Sequence, residues 1–494
     1  MNKGWILLLP VLFPVLSGIV LALPNIFPGK KGRWGFVAAV CALELVFMLA
    51  AAGGSHEFTL VRFSDRLAFV LRPDKLSLLF GGLTAFMWLA SAVYSGKYFG
   101  HGGEGGKIYQ TFFLVSVGVI AALCLSGNLV TMYMFYEMMT LSMIPLVIEE
   151  RTKEAVHAGF EFLFYSIAGA FLGLAGFFIF YGCGISLEFV AGGHITVQAA
   201  GENKELLLVA CFLGILGFGS KAGMFPLHGW LPVAHPVAPA PASALLSGNV
   251  TKMGVLFIIR IVYYVAGADF LRGTWVQYAF LALTMITVLM GSVIASREQL
   301  LKRRLAYSTV SQVSYVLFGA ALLHPAGMLG ALMHVVFHSA VKNTLFLSAG
   351  AVIHQTGCKR ADELSGIGKR MPVTMWLYTL VSLTLIGIPP TSAFLSKWYL
   401  AQGALAADIP VARYLGPAIL LVSAVFTAAY LLPLSVTGFL PGKEADGREV
   451  VYRREKESIW MVLPMAVLTA AAVGFGIFPN GLMRFLNTIC GAIL

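Results

Sequence analysis

Long apolar stretches separated by short polar ones run the length of this chain. A membrane span needs about 20 mostly apolar residues, and fourteen segments fit that pattern. They are Trp5–Leu23, Trp34–Ala52, Leu76–Tyr94, Thr111–Leu125, Leu129–Ile148, Val156–Tyr181 and Leu206–Phe225. Pro241–Val265, Val276–Ala295, Leu305–Leu323, Gly327–Ile353, Val373–Leu400, Leu415–Leu440 and Ile459–Phe478 follow. Only Ser126-Gly127-Asn128 separates the fourth from the fifth. Lipid leaves helices and closed barrels as spanning structures, and alternating apolar segments of about ten residues are absent. The pattern predicts an all-α polytopic membrane protein with about 14 transmembrane helices.

Composition agrees. Of 494 residues, 58% are hydrophobic and 12% charged, against about 25% charged in soluble domains. That excludes a string of globular domains, a disordered chain and a disulfide-stapled secreted module. The first stretch lacks a small-residue cleavage site and reads as a retained helix, not a signal peptide.

The net charge of +11 invites a nucleic-acid reading, but the basic residues alternate between loops. Twenty Lys and Arg lie on the loops that follow odd-numbered spans, from Lys30 to Lys456. The opposite side holds Lys3, Arg62, Arg66, Arg72, Lys204, Arg272, Arg413 and Arg484. The positive-inside bias then places the richer side in the cytoplasm and both termini on the extracytoplasmic side of the cell membrane. Six Cys form no C-x-x-C pair, and no haem, iron–sulfur, zinc or dinucleotide motif is present. No cofactor and no metal are expected; any redox chemistry belongs to another subunit.

Ionisable residues inside spans cost about 2.5–3.5 kcal/mol each and need a reason. Span 5 carries Glu137, span 7 Lys221, span 8 Lys252 and span 12 Lys397. Span 11 carries His334, His338 and Lys342. Steps of four residues keep this trio on one helix face, a polar stripe suited to passing protons. A shared metal is disfavoured by the nearby lysine. Glu44 and Arg260 read as charges that snorkel or pair locally. Glu161 is balanced between a structural and a functional role. His228 and His235, flanking Trp230-Leu231-Pro232, read as partners of exposed backbone.

Spacing adds a second argument. Gly217 and Gly219 precede Lys221 and Pro226 follows it, while Pro389 and Pro390 precede Lys397. Spans 7 and 12 are thus interrupted beside a buried lysine. They lie five helices apart, so spans 4–8 and 9–13 would be inverted repeats around a midplane ion site. The division expected is 1–109 for spans 1–3, 110–265 and 266–440 for the repeats, and 441–494 for a cytoplasmic loop and span 14.

At these residues the chain resembles the antiporter-like membrane subunits of respiratory complex I (types L, M and N), Mrp-type Na⁺/H⁺ antiporters and energy-converting membrane-bound hydrogenases. The resemblance rests on Phe135-Tyr136-Glu137, Lys221-Ala-Gly-Met-Phe-Pro-Leu-His-Gly-Trp-Leu-Pro and His235-Pro-Val-Ala-Pro-Ala-Pro-Ala-Ser-Ala-Leu-Leu-Ser-Gly. Thr251-Lys252-Met-Gly, the His334/His338/Lys342 triplet and Pro389-Pro390-Thr-Ser-Ala-Phe-Leu-Ser-Lys397 complete it. It implies a hydrated polar axis of Glu137, Lys221, Lys252, His334, His338, Lys342 and Lys397, with Glu137 pairing Lys221 at one end. It also implies other membrane subunits as partners, among them further antiporter-like subunits and a peripheral redox module. Protons are the expected cargo, Na⁺ the other option.

Departures narrow the subtype. Sixteen residues follow span 14, so the long lateral helix of the L type is not expected. Lys397 stands where the M type carries glutamate, and Glu161 where many relatives carry a basic residue. The His-Pro-Val-Ala-Pro stretch and the two-histidine span 11 look most like the hydrogenase and formate hydrogenlyase branch. An Mrp-type antiporter without a redox module is the alternative. An unrelated solute carrier or a membrane scaffold is more remote.

Overall fold

The computed structural model describes residues 3–24, 29–54, 56–64, 67–100, 106–196, 200–440 and 453–494. The charges counted at Arg66, Lys443 and Arg448 lie outside the described residues, as does the loop segment 441–452. In chain order the helices are α1 (Leu9–Ala22), α2 (Lys30–Ala52), α3 (Lys75–Tyr98), α4 (Gly106–Cys124), α5 (Leu129–Val147), α6 (Lys153–Gly182) and α7 (Lys204–Ala222). Next come α8 (Trp230–Val237), α9 (Ala240–Ala266), α10 (Trp275–Arg297), α11 (Leu301–Ala321) and α12 (Pro325–Thr356). The last are α13 (Pro372–Ile386), α14 (Ser392–Ala406), α15 (Pro410–Phe439), α16 (Ile459–Ile477) and α17 (Asn480–Ile493).

Local chemistry fixes many ends. Asn128 terminates the short link before α5 by accepting from Thr131 N at 2.8 Å, and Thr152 caps α6 through Ala155 N. Each side-chain acceptor satisfies an amide that the first turn would leave orphaned. Gly223 and Gly387 close α7 and α13 in left-handed conformations, which glycine adopts without a Cβ clash.

Lipid offers helices no hydrophobic reason to associate, so close packing of small residues holds them together. A Cβ on Gly217 of α7 would stand 2.3 Å from the Gly169 carbonyl oxygen of α6. Contacts repeat along the chain: α4 packs on α5 and α6 on α7, while α10 packs on α11 and α12 on α14. Helix α12 is the hub, buried among α3, α9, α11, α13, α14, α16 and α17.

The sequence pattern and the structure differ in four places. Twelve helices among the described residues are long and apolar enough to span, not fourteen. Of the other two expected spans, α11 is a full helix made polar by Ser308, Thr309, Ser311, Gln312 and Ser314, all buried. The twelfth is split into α13 and α14, two helices of 15 residues. A hairpin of β1 (Phe58–Ser64) and β2 (Leu67–Leu71), antiparallel, was not expected. Neither was α17, which buries Leu486, Ile489, Cys490 and Ile493. Lys75, the first residue of α3, adds one more cation to the less basic side.

Candidate ion pathway

Both expected interruptions are present, and each sets a lysine against broken backbone. Helix α7 runs unbroken through Gly217 and Gly219, so these two are not the break. Gly217 serves the α6 contact, Gly219 faces the Met224 side chain, and Gly223 ends the helix. Pro226 lies in the non-helical turn that follows. Pro389 and Pro390 lie in the turn between α13 and α14. There Lys397 Nζ donates to the Leu385 and Ile386 carbonyls at 2.7 and 2.9 Å. These carbonyls lack helical partners because α13 stops, and a helix C-terminus favours a cation.

Lys221 occupies the last turn of α7 and is fully buried. Its Nζ donates to Ser166 Oγ at 2.6 Å and Thr140 Oγ1 at 2.9 Å, and lies over the rings of Phe162 and Tyr136. Glu137, one turn before Thr140 on α5, leaves Oε1 without a hydrogen-bond partner. The pair that the resemblance implies is therefore open in this structure, with two hydroxyls holding the lysine.

The second half is continuous. Lys252 Nζ lies 2.6 Å from His338 Nδ1 and also donates to the Ser247 carbonyl. Ser247 belongs to a wide π-turn, Leu246–Val250, within α9. Such turns leave carbonyls free for side chains. His338 stacks on His334 with centroids 5.8 Å apart. His334 Nδ1 then meets Ser396 Oγ at 2.9 Å, and Nε2 meets Gln312 Oε1 at 3.2 Å. Ser396 precedes Lys397, whose Nζ lies 5.3 Å from the centre of the Tyr315 ring. Tyr315 itself stacks on His334. Lys342, on the same helix face, turns aside to Ser308 Oγ and the Leu305 carbonyl.

The arrangement can pass protons between groups that both accept and donate them. Spacing could not reveal Thr140, Ser166, Ser247, Gln312, Tyr315 and Ser396. Their only signal was a hydroxyl, amide or peptide group in an apolar span.

The residues set aside fall differently. Arg260 neither snorkels nor waits: it is buried and forms a two-pronged ion pair with Asp74 at 2.5 and 2.9 Å, stacked on Tyr264 and Phe189. Glu44 is buried with both oxygens unpartnered, so it does not pair locally. Glu161 meets His157 at 3.2 Å near the surface. His228 meets the Pro226 backbone, as expected, but His235 does not bond exposed backbone. Its ring is buried and neither nitrogen has a partner.

A helical bundle with two broken helices flanking a row of buried Lys and His defines an antiporter-like membrane subunit. The chain belongs to the NADH:quinone oxidoreductase/Mrp antiporter transmembrane family, whose description matches residues 126–427. NADH-quinone oxidoreductase subunit N of Desulforudis audaxviator is 33% identical over 408 residues, 80% of this chain and 79% of that one. Hydrogenase-4 component B of Escherichia coli is 32% identical over 421 residues, 81% of this chain and 60% of that one. The fold matches a subunit in the structure of the Mrp complex from Dietzia sp. with TM-score 0.86 and 22% identity, covering 100% of this chain and 98% of that one.

Proposed function

We propose that this subunit pumps protons within a redox-driven membrane complex of the energy-converting hydrogenase, formate hydrogenlyase or complex I type. Protons move along Glu137, Lys221, Lys252, His338, His334 and Lys397, with Lys342 as a side branch. The observation that carries this reading is the series of contacts from Lys252 through His338 and His334 to Ser396, with Lys397 reached over the Tyr315 ring that stacks on His334. Opening and closing the Glu137–Lys221 pair loads and releases the lysine, because a nearby carboxylate favours the charged amine and separation from it favours the neutral one.

Inverted repeats over 110–265 and 266–440 place Lys221 and Lys397 in related positions, with 1–109 and 441–494 as flanking units. The basic face is cytoplasmic and both termini are extracytoplasmic. Partner membrane subunits and a peripheral redox module supply the driving force. A second reading, an Mrp-type Na⁺/H⁺ antiporter subunit, is favoured by the whole-chain likeness to the Dietzia structure.

The test measures pumping by the assembled complex in sealed vesicles. Glu137→Gln, Lys221→Ala and Lys397→Ala should each cut it by about tenfold or more while the complex still assembles, since each removes a costly membrane charge. Full pumping in all three leaves only a scaffold role for these residues. Glu455→Cys reports orientation: reaction with an impermeant thiol reagent in intact cells would reverse it.

A further inference from the structure

A cavity of about 220 Å³ opens on the basic face, lined by Tyr98, Glu150, Pro236, Lys302 and Lys359 among others. Glu150 and Lys359 are exposed, whereas Lys302 is buried. The Lys302 ammonium donates to the Ala238 carbonyl at 2.7 Å, just past the end of α8. His235 is the neighbour of the cavity-lining Pro236. Its ring is held flat against Phe346 of α12, with centroids 4.6 Å apart. The amines whose charge it feels are Lys342, Lys302 and Lys252. Lys302 belongs to the cavity, and the other two belong to the axis.

An imidazole with two nitrogens buried and unpaired costs about 1–3 kcal/mol per orphaned group. The cavity lined by the adjoining Pro236 can hold water, which needs two to four polar partners, and Lys302 and Glu150 offer them. Phe346 holds the ring plane but satisfies neither nitrogen. Packing alone therefore leaves no reason for histidine at this position: phenylalanine would stack as well and strand nothing.

We propose that His235 is a proton port joining the basic-face cavity to the middle of the axis. A proton from water among Glu150, Lys302 and Lys359 adds to one ring nitrogen, and the other nitrogen releases a proton through water toward Lys252 and Lys342. Each transfer exchanges an O–H bond of water for an N–H bond of the ring or the reverse, and the ring ends as the opposite tautomer and resets by turning over. The inference rests on the proposed axis and adds a branch that feeds it at the junction of its two halves.

The test uses the assembled complex in sealed vesicles, with Lys221→Ala and Lys397→Ala as references. His235→Phe keeps the stack on Phe346 and should lower pumping by about tenfold. His235→Ala should fall equally and recover in part when imidazole is added, since free imidazole can fill the space and carry the proton. In a Cys358→Ser background, Lys359→Cys should lose pumping when a bulky impermeant thiol reagent is added to the basic face, and keep it when the reagent is added to the other face. Unchanged pumping in His235→Phe, while both reference variants fail, overturns the port and leaves the axis standing. A loss in His235→Ala that imidazole does not restore is a packing effect and also overturns it. Full pumping in the reference variants removes the axis, and the port with it.

Discussion

Lys252 Nζ and His338 Nδ1 stand 2.6 Å apart in a buried setting. Two basic nitrogens that close must share a hydrogen, so one accepts while the other donates. The other ring nitrogen, His338 Nε2, has no partner in this structure. In the proposed axis the pair acts as a single proton-holding unit. Lys252→Ala and His338→Ala should therefore lower pumping by similar factors, and the double variant by hardly more than either alone. Multiplicative losses would mean two independent groups.

Gly387→Ala should disable Lys397 without touching it. The glycine has φ 93°, where an L side chain costs about 1–2 kcal/mol, and its Cβ would stand 3.2 Å from Lys397 Cδ. The lysine would leave the Leu385 and Ile386 carbonyls. Pumping should fall by an order of magnitude while assembly drops modestly, as read by activity per assembled complex.

Arg260→Met should weaken the fold, not the pathway. It strips Asp74 of the cation that ties α9 to the start of α3, and breaking such a buried pair costs about 3 kcal/mol. Asp74→Asn in the same chain should recover part of that loss. Thermal unfolding of the purified complex measures both. Glu44→Gln, by contrast, should leave pumping unchanged.

Glu149 lies just beyond α5 on the basic face, where burial pushes its carboxyl up to about 7, partly offset by Arg151. The unfolded chain ionises this group near the ordinary value, so ionisation opposes folding increasingly as pH rises from about 4.5 to 7. Glu149→Gln should consequently raise the melting temperature at pH 8 and barely change it at pH 5. An equal shift at both pH values would point to packing instead.

Hydrophobic runs alone announced a polytopic helical protein, because in lipid a chain must satisfy its own backbone and only long apolar helices do so cheaply. Glycine, proline and lysine placed the two interruptions to within a few residues. Gly217 and Gly219 misled because glycine also serves close helix packing, and only the contact with Gly169 on α6 separates the two uses. The split of the twelfth span and the polar character of α11 were partly hidden, since a hydropathy average dilutes scattered hydroxyls.

Sequence by itself determined which residues carry charge into the membrane: Glu137, Lys221, Lys252, His334, His338, Lys342 and Lys397 all stood out, because burying an ionisable group is too costly to be incidental. Tertiary structure alone decided which of them meet. Lys252 and His338 are 86 positions apart, and between His334 and the last lysine lies the ring of Tyr315 from another helix. Lys342, in register with both histidines, faces α11 instead. Arg260 found Asp74 across 186 residues, while Glu44 found nothing. Periodicity fixes the face of one helix, but the partner opposite that face is set by how the helices cross, and no stretch of sequence contains that.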